Sequence, residues 1–136
     1  MLKKIMPAAA VAAAVMSTGL VSAAPASAAT AAANMTISTG SGTMQFIDDG
    51  DVFKICDTAP NDGSPVFGAV FYNSYWDTSG HKRVMTILDS SDSGCNKKGY
   101  NIGNSGVYTF VICPGEWPTS AYQNSRGCTH SREFNE

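Results

Sequence analysis

FKICDTAPNDGSPVFGAVFY, residues 53 to 72, decides how the chain is read. An apolar run ends in Cys56 and Asp57, a turn-rich stretch follows, and a second apolar run begins at Val66. If Cys56 is a reactive or metal-binding thiol beside Asp57, the chain is an enzyme. If it is half of a disulfide at a β corner, the chain is a scaffold. Asp62-Gly63 and two prolines punctuate the turn, and an Asp after a strand can accept the backbone N–H groups of such a turn. The local pattern is therefore strand, Asp-led turn, strand.

The cysteines favour the staple. There are four, Cys56, Cys95, Cys113 and Cys128, and none stands in a CxxC pair or at a zinc or haem spacing. An even number in an oxidising compartment implies a disulfide framework, for which four cysteines allow three pairings. Sequential pairing, Cys56 with Cys95 and Cys113 with Cys128, suits neighbouring strands and a closed loop. Loop-closure entropy assigns about 4 kcal/mol to the longer loop and about 3 kcal/mol to the shorter.

The compartment is read from the N-terminus. MLKK is a short basic start, an apolar stretch follows, and Ala26-Ser27-Ala28 is a small-residue cleavage site. This order predicts a secretory signal peptide over residues 1 to 28, and so a secreted, extracellular protein. Pro7, Ser17, Thr18 and Gly19 interrupt the apolar stretch and speak against a membrane anchor. After cleavage seven basic residues face eleven acidic ones, a net charge of −4. Nucleic acid and anionic membrane both need a basic face, so neither is expected as a partner. The remaining length suits one domain that buries roughly 65% of its unfolded surface.

Residues 29 to 43 are small, polar and uncharged, and predict a flexible arm. Within it Met35, Thr36, Ile37, Ser38 and Thr39 alternate like a short strand. That strand is either the first edge of the fold or an arm that adds to a partner's sheet.

From residue 44 the expectation is a β-sandwich of six to seven antiparallel strands, all-β throughout. Strands are expected at 43–47, 51–57, 66–73, 83–89, 107–113 and 128–134, with Asp48-Asp49-Gly50 as a hairpin turn. In the fourth, Met85 and Ile87 face one side, and Val84, Thr86 and Leu88 the other. Residues 90 to 106 form a long polar connection. Nothing longer than ten residues beyond the signal peptide carries helical periodicity, and the turn spacing fits a sandwich or small barrel.

Catalytic chemistry finds little support. His81 and His130 are the only histidines, and no G-x-S-x-G or nucleophile–base pairing is recognisable. The aspartates around Gly50 lack the calcium-loop order and read as solvated turn carboxylates. No enzyme activity, metal or cofactor is expected. Binding signals are better. FYNSYW, residues 71 to 76, offers Tyr75 and Trp76 at a strand end. PGEWPTSAYQNSRG, residues 114 to 127, offers Trp117, Tyr122 and Arg126 in the loop that Cys113 and Cys128 would close. Trp, Tyr and Arg dominate interface hot spots, and a closed loop loses less entropy on binding. The alternative for Trp117 is that it folds back to cover the core.

The signal peptide, FKICDTAPNDG, YTFVICPGE and the late Cys128 resemble small secreted two-disulfide β proteins of filamentous actinobacteria, whose function is unknown. The likeness spans Phe53 to Cys128 and is loosely similar to the adaptor subunit of umbrella toxin particles. That resemblance implies a subunit linking trypsin-like or lectin-bearing proteins to a large toxin chain, docking through an N-terminal extension such as residues 29 to 43. The expected function is thus a secreted, non-catalytic module that binds a secreted protein partner. Two alternatives stand beside it. An inhibitor of a secreted protease or amylase would insert Arg126 or Trp117, and a carbohydrate-binding module would stack sugars on Tyr75, Trp76 and Trp117.

Overall fold

A computed structural model describes residues 34–73, 81–90, 92–123 and 127–136. The predicted signal peptide, most of the expected arm before Met35, Tyr75, Trp76 and Arg126 lie outside the described residues. Within them the chain is all-β. Eight strands run β1 Met35–Ser38, β2 Gly42–Ile47, β3 Val52–Asp57, β4 Val66–Tyr72, β5 Lys82–Asp89, β6 Asn96–Gly99, β7 Tyr108–Pro114 and β8 Thr129–His130. They form two four-stranded antiparallel sheets, ordered β1-β2-β3-β6 and β5-β4-β7-β8.

Alternation builds the core. In β2 and β3 the buried residues Met44, Phe46, Phe53 and Ile55 share one face, and they meet Val66, Val70, Phe110 and Ile112 of the second sheet. Phe46 and Phe53 are register partners with ring centroids 5.0 Å apart. Phe134, from the last residues of the chain, packs on Phe46 at 5.0 Å and on Phe110 at 5.7 Å. Each fully buried ring contributes about 1.5–3 kcal/mol. Gly68 lies on the same inner face of β4, where a Cβ would come within 2.7 Å of Met44 Sδ and 2.9 Å of Ile87 Cγ2. The two sheets approach closely there because no side chain stands between them.

The strands differ from the sequence reading in the flexible arm, where the first-edge alternative holds, in the polar connection, in β5 and in the last strand. Of the last strand's expected span, 128–134, only Thr129–His130 is a strand, with Phe134 in an isolated bridge to Tyr108. Of the arm, Met35–Ser38 is β1, paired to the chain's own β2 from Met35↔Phe46 to Ser38↔Thr43. Met35 and Ile37 pack against the core, which ties the segment down. Inside the polar connection, Asn96–Gly99 forms β6 against β3 although all four residues are exposed. Backbone pairing beside the Cys56–Cys95 bridge holds a strand whose side chains give no apolar signal. In β5 the register slips between Val70↔Met85 and Phe71↔Arg83, leaving Val84 as an extra residue. Such a bulge interrupts alternation, and Val84 joins Met85 and Ile87 against the core.

Both disulfides lie across adjacent antiparallel strands, Cys56–Cys95 joining β3 to the start of β6 and Cys113–Cys128 joining β7 to β8. This is the sequential pairing expected from the sequence, and Cys56 is therefore a staple. Beside it, Asp57 Oδ1 accepts the N–H of Ala59 at 2.8 Å, the Asp-led turn anticipated above. Asp51 departs from the solvated-carboxylate expectation. Its Oδ2 accepts the N–H of Ile102 at 3.0 Å, and its carbonyl accepts the N–H of Tyr100 at 3.0 Å, so it fastens the polar connection.

Side chains close the two seams between the sheets. At one seam Thr129 Oγ1 donates to the Ser38 carbonyl at 2.9 Å, and Arg132 Nε approaches Met35 Sδ at 3.4 Å. At the other, Asn96 Nδ2 donates to the Leu88 carbonyl at 2.7 Å and Lys98 Nζ to the Thr86 carbonyl at 3.0 Å. Short strands, lysines and capped carbonyls blunt an exposed edge.

Candidate functional site

The central strands of the second sheet are covered on both faces. Phe71, Ala69, Val111 and Cys113 turn outward from β4 and β7, and with Ala121 and Cys128 they form a second buried cluster. The described residues that follow β7, 115–123, lie over it, with Ala121 in the cluster and Trp117 on Phe67, so this part of the loop is a lid on the outside of the sandwich. This explains why β7 is buried from Tyr108 to Cys113 without alternation.

The loop is held at several points. Gly115, with φ of +70°, donates its N–H to the Pro65 carbonyl at 2.9 Å. A left-handed backbone of this kind favours glycine. Arg83 Nη1 donates to the Pro118 carbonyl at 3.2 Å, and the N–H of Thr119 donates to Gln123 Oε1 at 2.7 Å. Ala121 is fully buried beneath.

Two aromatic side chains of this loop stand partly in solvent, Trp117 at 41% and Tyr122 at 42% exposure. Trp117 packs edge-on against Phe67 with centroids 4.7 Å apart. Phe67 in turn is the register partner of Leu88, which is 37% exposed. Directly opposite residues of an antiparallel pair project to the same face. Leu88, Phe67 and Trp117 therefore form one continuous apolar strip across the outer face of the second sheet. The two expectations for Trp117 meet here, since one part of the ring covers Phe67 and the other faces water.

Tyr122 stands at the opposite end of the loop in a polar network. Its hydroxyl donates to Glu133 Oε1 at 2.6 Å. Asn73 Nδ2 reaches the same oxygen at 3.2 Å and Thr109 Oγ1 at 2.8 Å, while Asn73 Oδ1 lies 2.8 Å from His81 Nδ1. His81 and His130 meet the Tyr122 ring edge-to-face, with centroids at 4.9 Å and 5.6 Å. By accepting the hydrogen bond of the phenol, Glu133 raises the Tyr122 pKa above its ordinary value, and burial adds to this. A phenol held this way is a clamp for the loop and a poor general base near neutral pH.

The nominated residues separate accordingly. Trp117 and Tyr122 share the outer face of the second sheet, while Trp76 and Arg126 lie outside the described residues. Met35, Thr36, Ile37 and Ser38 form the far edge of the first sheet, and Thr39 closes the β1–β2 turn by accepting the Gly42 N–H on Oγ1 at 3.0 Å. Thr39 N–H also bonds the Gly42 carbonyl at 2.8 Å, so in the alternating ladder Thr36 and Ser38 point their backbone groups away from β2. The Thr129–Ser38 hydrogen bond links this edge to the root of the loop.

Sequence reasoning missed Phe67, Arg83, Asn73 and Glu133 as parts of the face. Leu88 was legible, since alternation in β5 turns it away from Met85 and Ile87. The two histidines looked isolated 49 positions apart, and only the pairing of β4 with β5 and β7 brings both to Tyr122. Among the described residues no three His, Cys, Asp or Glu side chains converge as metal ligands, and no helix is long and apolar enough to cross a membrane. No protein-family model matches the chain, nor does any curated protein or solved structure.

Proposed function

We propose that this chain is a secreted, non-catalytic protein-binding module that docks through the outer face of its second sheet. The observation that carries this reading is the Leu88–Phe67–Trp117 strip, with Trp117 held half in solvent on a loop fixed at Cys113–Cys128, Pro118 and Tyr122. Exposed aromatics on a preorganised support are the anchors of protein interfaces, because little ordering entropy is lost when they are buried. Two disulfides fit the oxidising, extracellular setting that the signal peptide predicts.

The partner in this reading is another secreted protein, and the module acts as an adaptor between larger subunits, as the toxin-particle resemblance implies. The edge strand Met35–Ser38 supplies a second contact, through the outward backbone groups of Thr36. Affinity purification of the tagged mature protein from native culture supernatant tests the proposal. Trp117→Ala should lose the captured protein while keeping its folded spectrum, and deleting residues 29 to 34 should weaken capture less. Capture unchanged by Trp117→Ala would remove the strip from the interface. Stoichiometric inhibition of a trypsin-like protease or amylase would make the loop an inhibitor, and retention on glycan alone would make it a sugar-binding surface.

A further inference from the structure

β5 is the longest strand among the described residues, with eight, yet it is the outermost strand of its sheet. The Thr86 and Leu88 carbonyls face outward, since Lys98 Nζ and Asn96 Nδ2 reach them from the other sheet. In a strand the N–H and C=O of one residue point the same way, so the N–H groups of Thr86 and Leu88 face outward as well. Along this edge runs an open groove of about 310 Å³, lined by Arg83, Val84, Met85, Thr86 and Lys98. It carries two cations and no carboxylate, although the mature chain has an expected net charge of −4. One contact crossing it is the bond from Lys98, an exposed side chain that can swing away.

Building on the protein-binding reading above, we propose that the β5 edge receives an extended acidic segment of the partner, which pairs with the Thr86 backbone and sets a carboxylate between Arg83 and Lys98. The added strand extends the second sheet. Its side chains on the outer face then continue the Leu88–Phe67–Trp117 strip, so edge and strip form one surface. Strand addition takes affinity from main-chain hydrogen bonds and specificity from alternate side chains. Here the positive groove selects an acid, and the Lys98–Thr86 bond guards the edge until the acid draws the ammonium away.

The test is a titration of the ¹⁵N-labelled mature protein with a blocked heptapeptide alternating valine and glutamate. The same peptide with lysine in place of glutamate is the control. The acidic peptide should shift the amides of Val84, Thr86 and Leu88 saturably, the lysine peptide should not, and Lys98→Glu should weaken binding about tenfold or more. Shifts confined to the β1 edge, equal shifts with both peptides, or none up to millimolar peptide would overturn the proposal. Trp117→Ala separates the two readings. Lost capture with unchanged peptide shifts upholds both, whereas capture that survives Trp117→Ala but not Lys98→Glu rejects the strip and keeps the edge.

Discussion

The backbone N–H of Asp57 donates to Asp89 Oδ2 at 2.6 Å, joining the end of β3 to the end of β5 inside the sandwich. Asp89 is fully buried and Asp57 nearly so, and Asp89 Oδ1 and Asp57 Oδ2 are buried without a described partner. Burial raises the Asp89 pKa, and the nearby Asp92 and Asp57 charges push it the same way, against the backbone hydrogen bonds from Asp57 and Asn96. A carboxyl raised on folding favours the fold while it is protonated. Its contribution is complete below the unfolded value and is lost as pH rises through the folded one. Stability at this site should therefore fall as pH rises above the ordinary aspartate range. Asp89→Asn keeps an acceptor for the Asp57 N–H, removes the buried charge, and should stabilise the protein at pH 7 by about 1–2 kcal/mol. Urea midpoints measured from pH 4.5 to 8 check this, and an unchanged pH slope in Asp89→Asn would refute it.

The two disulfides should differ in reactivity. Cys113 and Cys128 are buried, whereas Cys95 is exposed and Cys56 is half-buried. Thiol–disulfide exchange requires access for the attacking thiolate. Under mild reductant Cys56–Cys95 should open first, seen as alkylation of that pair alone by mass spectrometry. Removing Cys113–Cys128 with a double Ala substitution should cost about 3 kcal/mol and release the Trp117 loop. Simultaneous alkylation of all four cysteines would argue against unequal access.

Gly68 sets the distance between the sheets. A methyl there meets Met44 Sδ, Ile87 Cγ2 and Ile55 Cδ1, all at 3.1 Å or less. Side chains from three strands would have to move together. Gly68→Ala should destabilise by about 1–3 kcal/mol, the usual cost of overpacking. A thermal midpoint equal to wild type would show that Met44 yields freely.

The Tyr122–Glu133 bond has a spectroscopic readout. Because Glu133 is the foremost cause of the raised Tyr122 pKa, Glu133→Gln should lower it toward the ordinary phenol range. Ultraviolet titration of tyrosinate absorbance, with Tyr122→Phe to identify the residue, measures the shift. The substitution should also loosen the loop, giving faster amide exchange at Thr119 and Tyr122 with the core unaffected.

Most strands were legible because period-two alternation records which side chains meet the opposite sheet, as in Met44, Phe46, Phe53 and Ile55. β6 escaped notice because its partner is backbone, and Asn-Lys-Lys-Gly carries no apolar record of pairing. Val84 was assigned to the wrong face because a bulge changes side-chain direction without altering residue type. For the candidate face, Trp117 and Tyr122 could be nominated by residue chemistry alone. Their supports could not, since Phe67, Arg83 and Glu133 act through contacts that have no counterpart in sequence spacing.

By itself the sequence determined the all-β class and the strand rhythm, and it favoured the sequential cysteine pairing that the two staples have. The first two depend on local alternation and turn spacing. Tertiary structure alone decided that the second sheet has a covered outer face and that both histidines meet at Tyr122. It also decided that Trp117 joins Phe67 and Leu88, and that Arg83 and Lys98 line a groove along the β5 edge. Such features arise where segments distant in the chain are brought together by strand order, and strand order is set by the burial of both sheets at once.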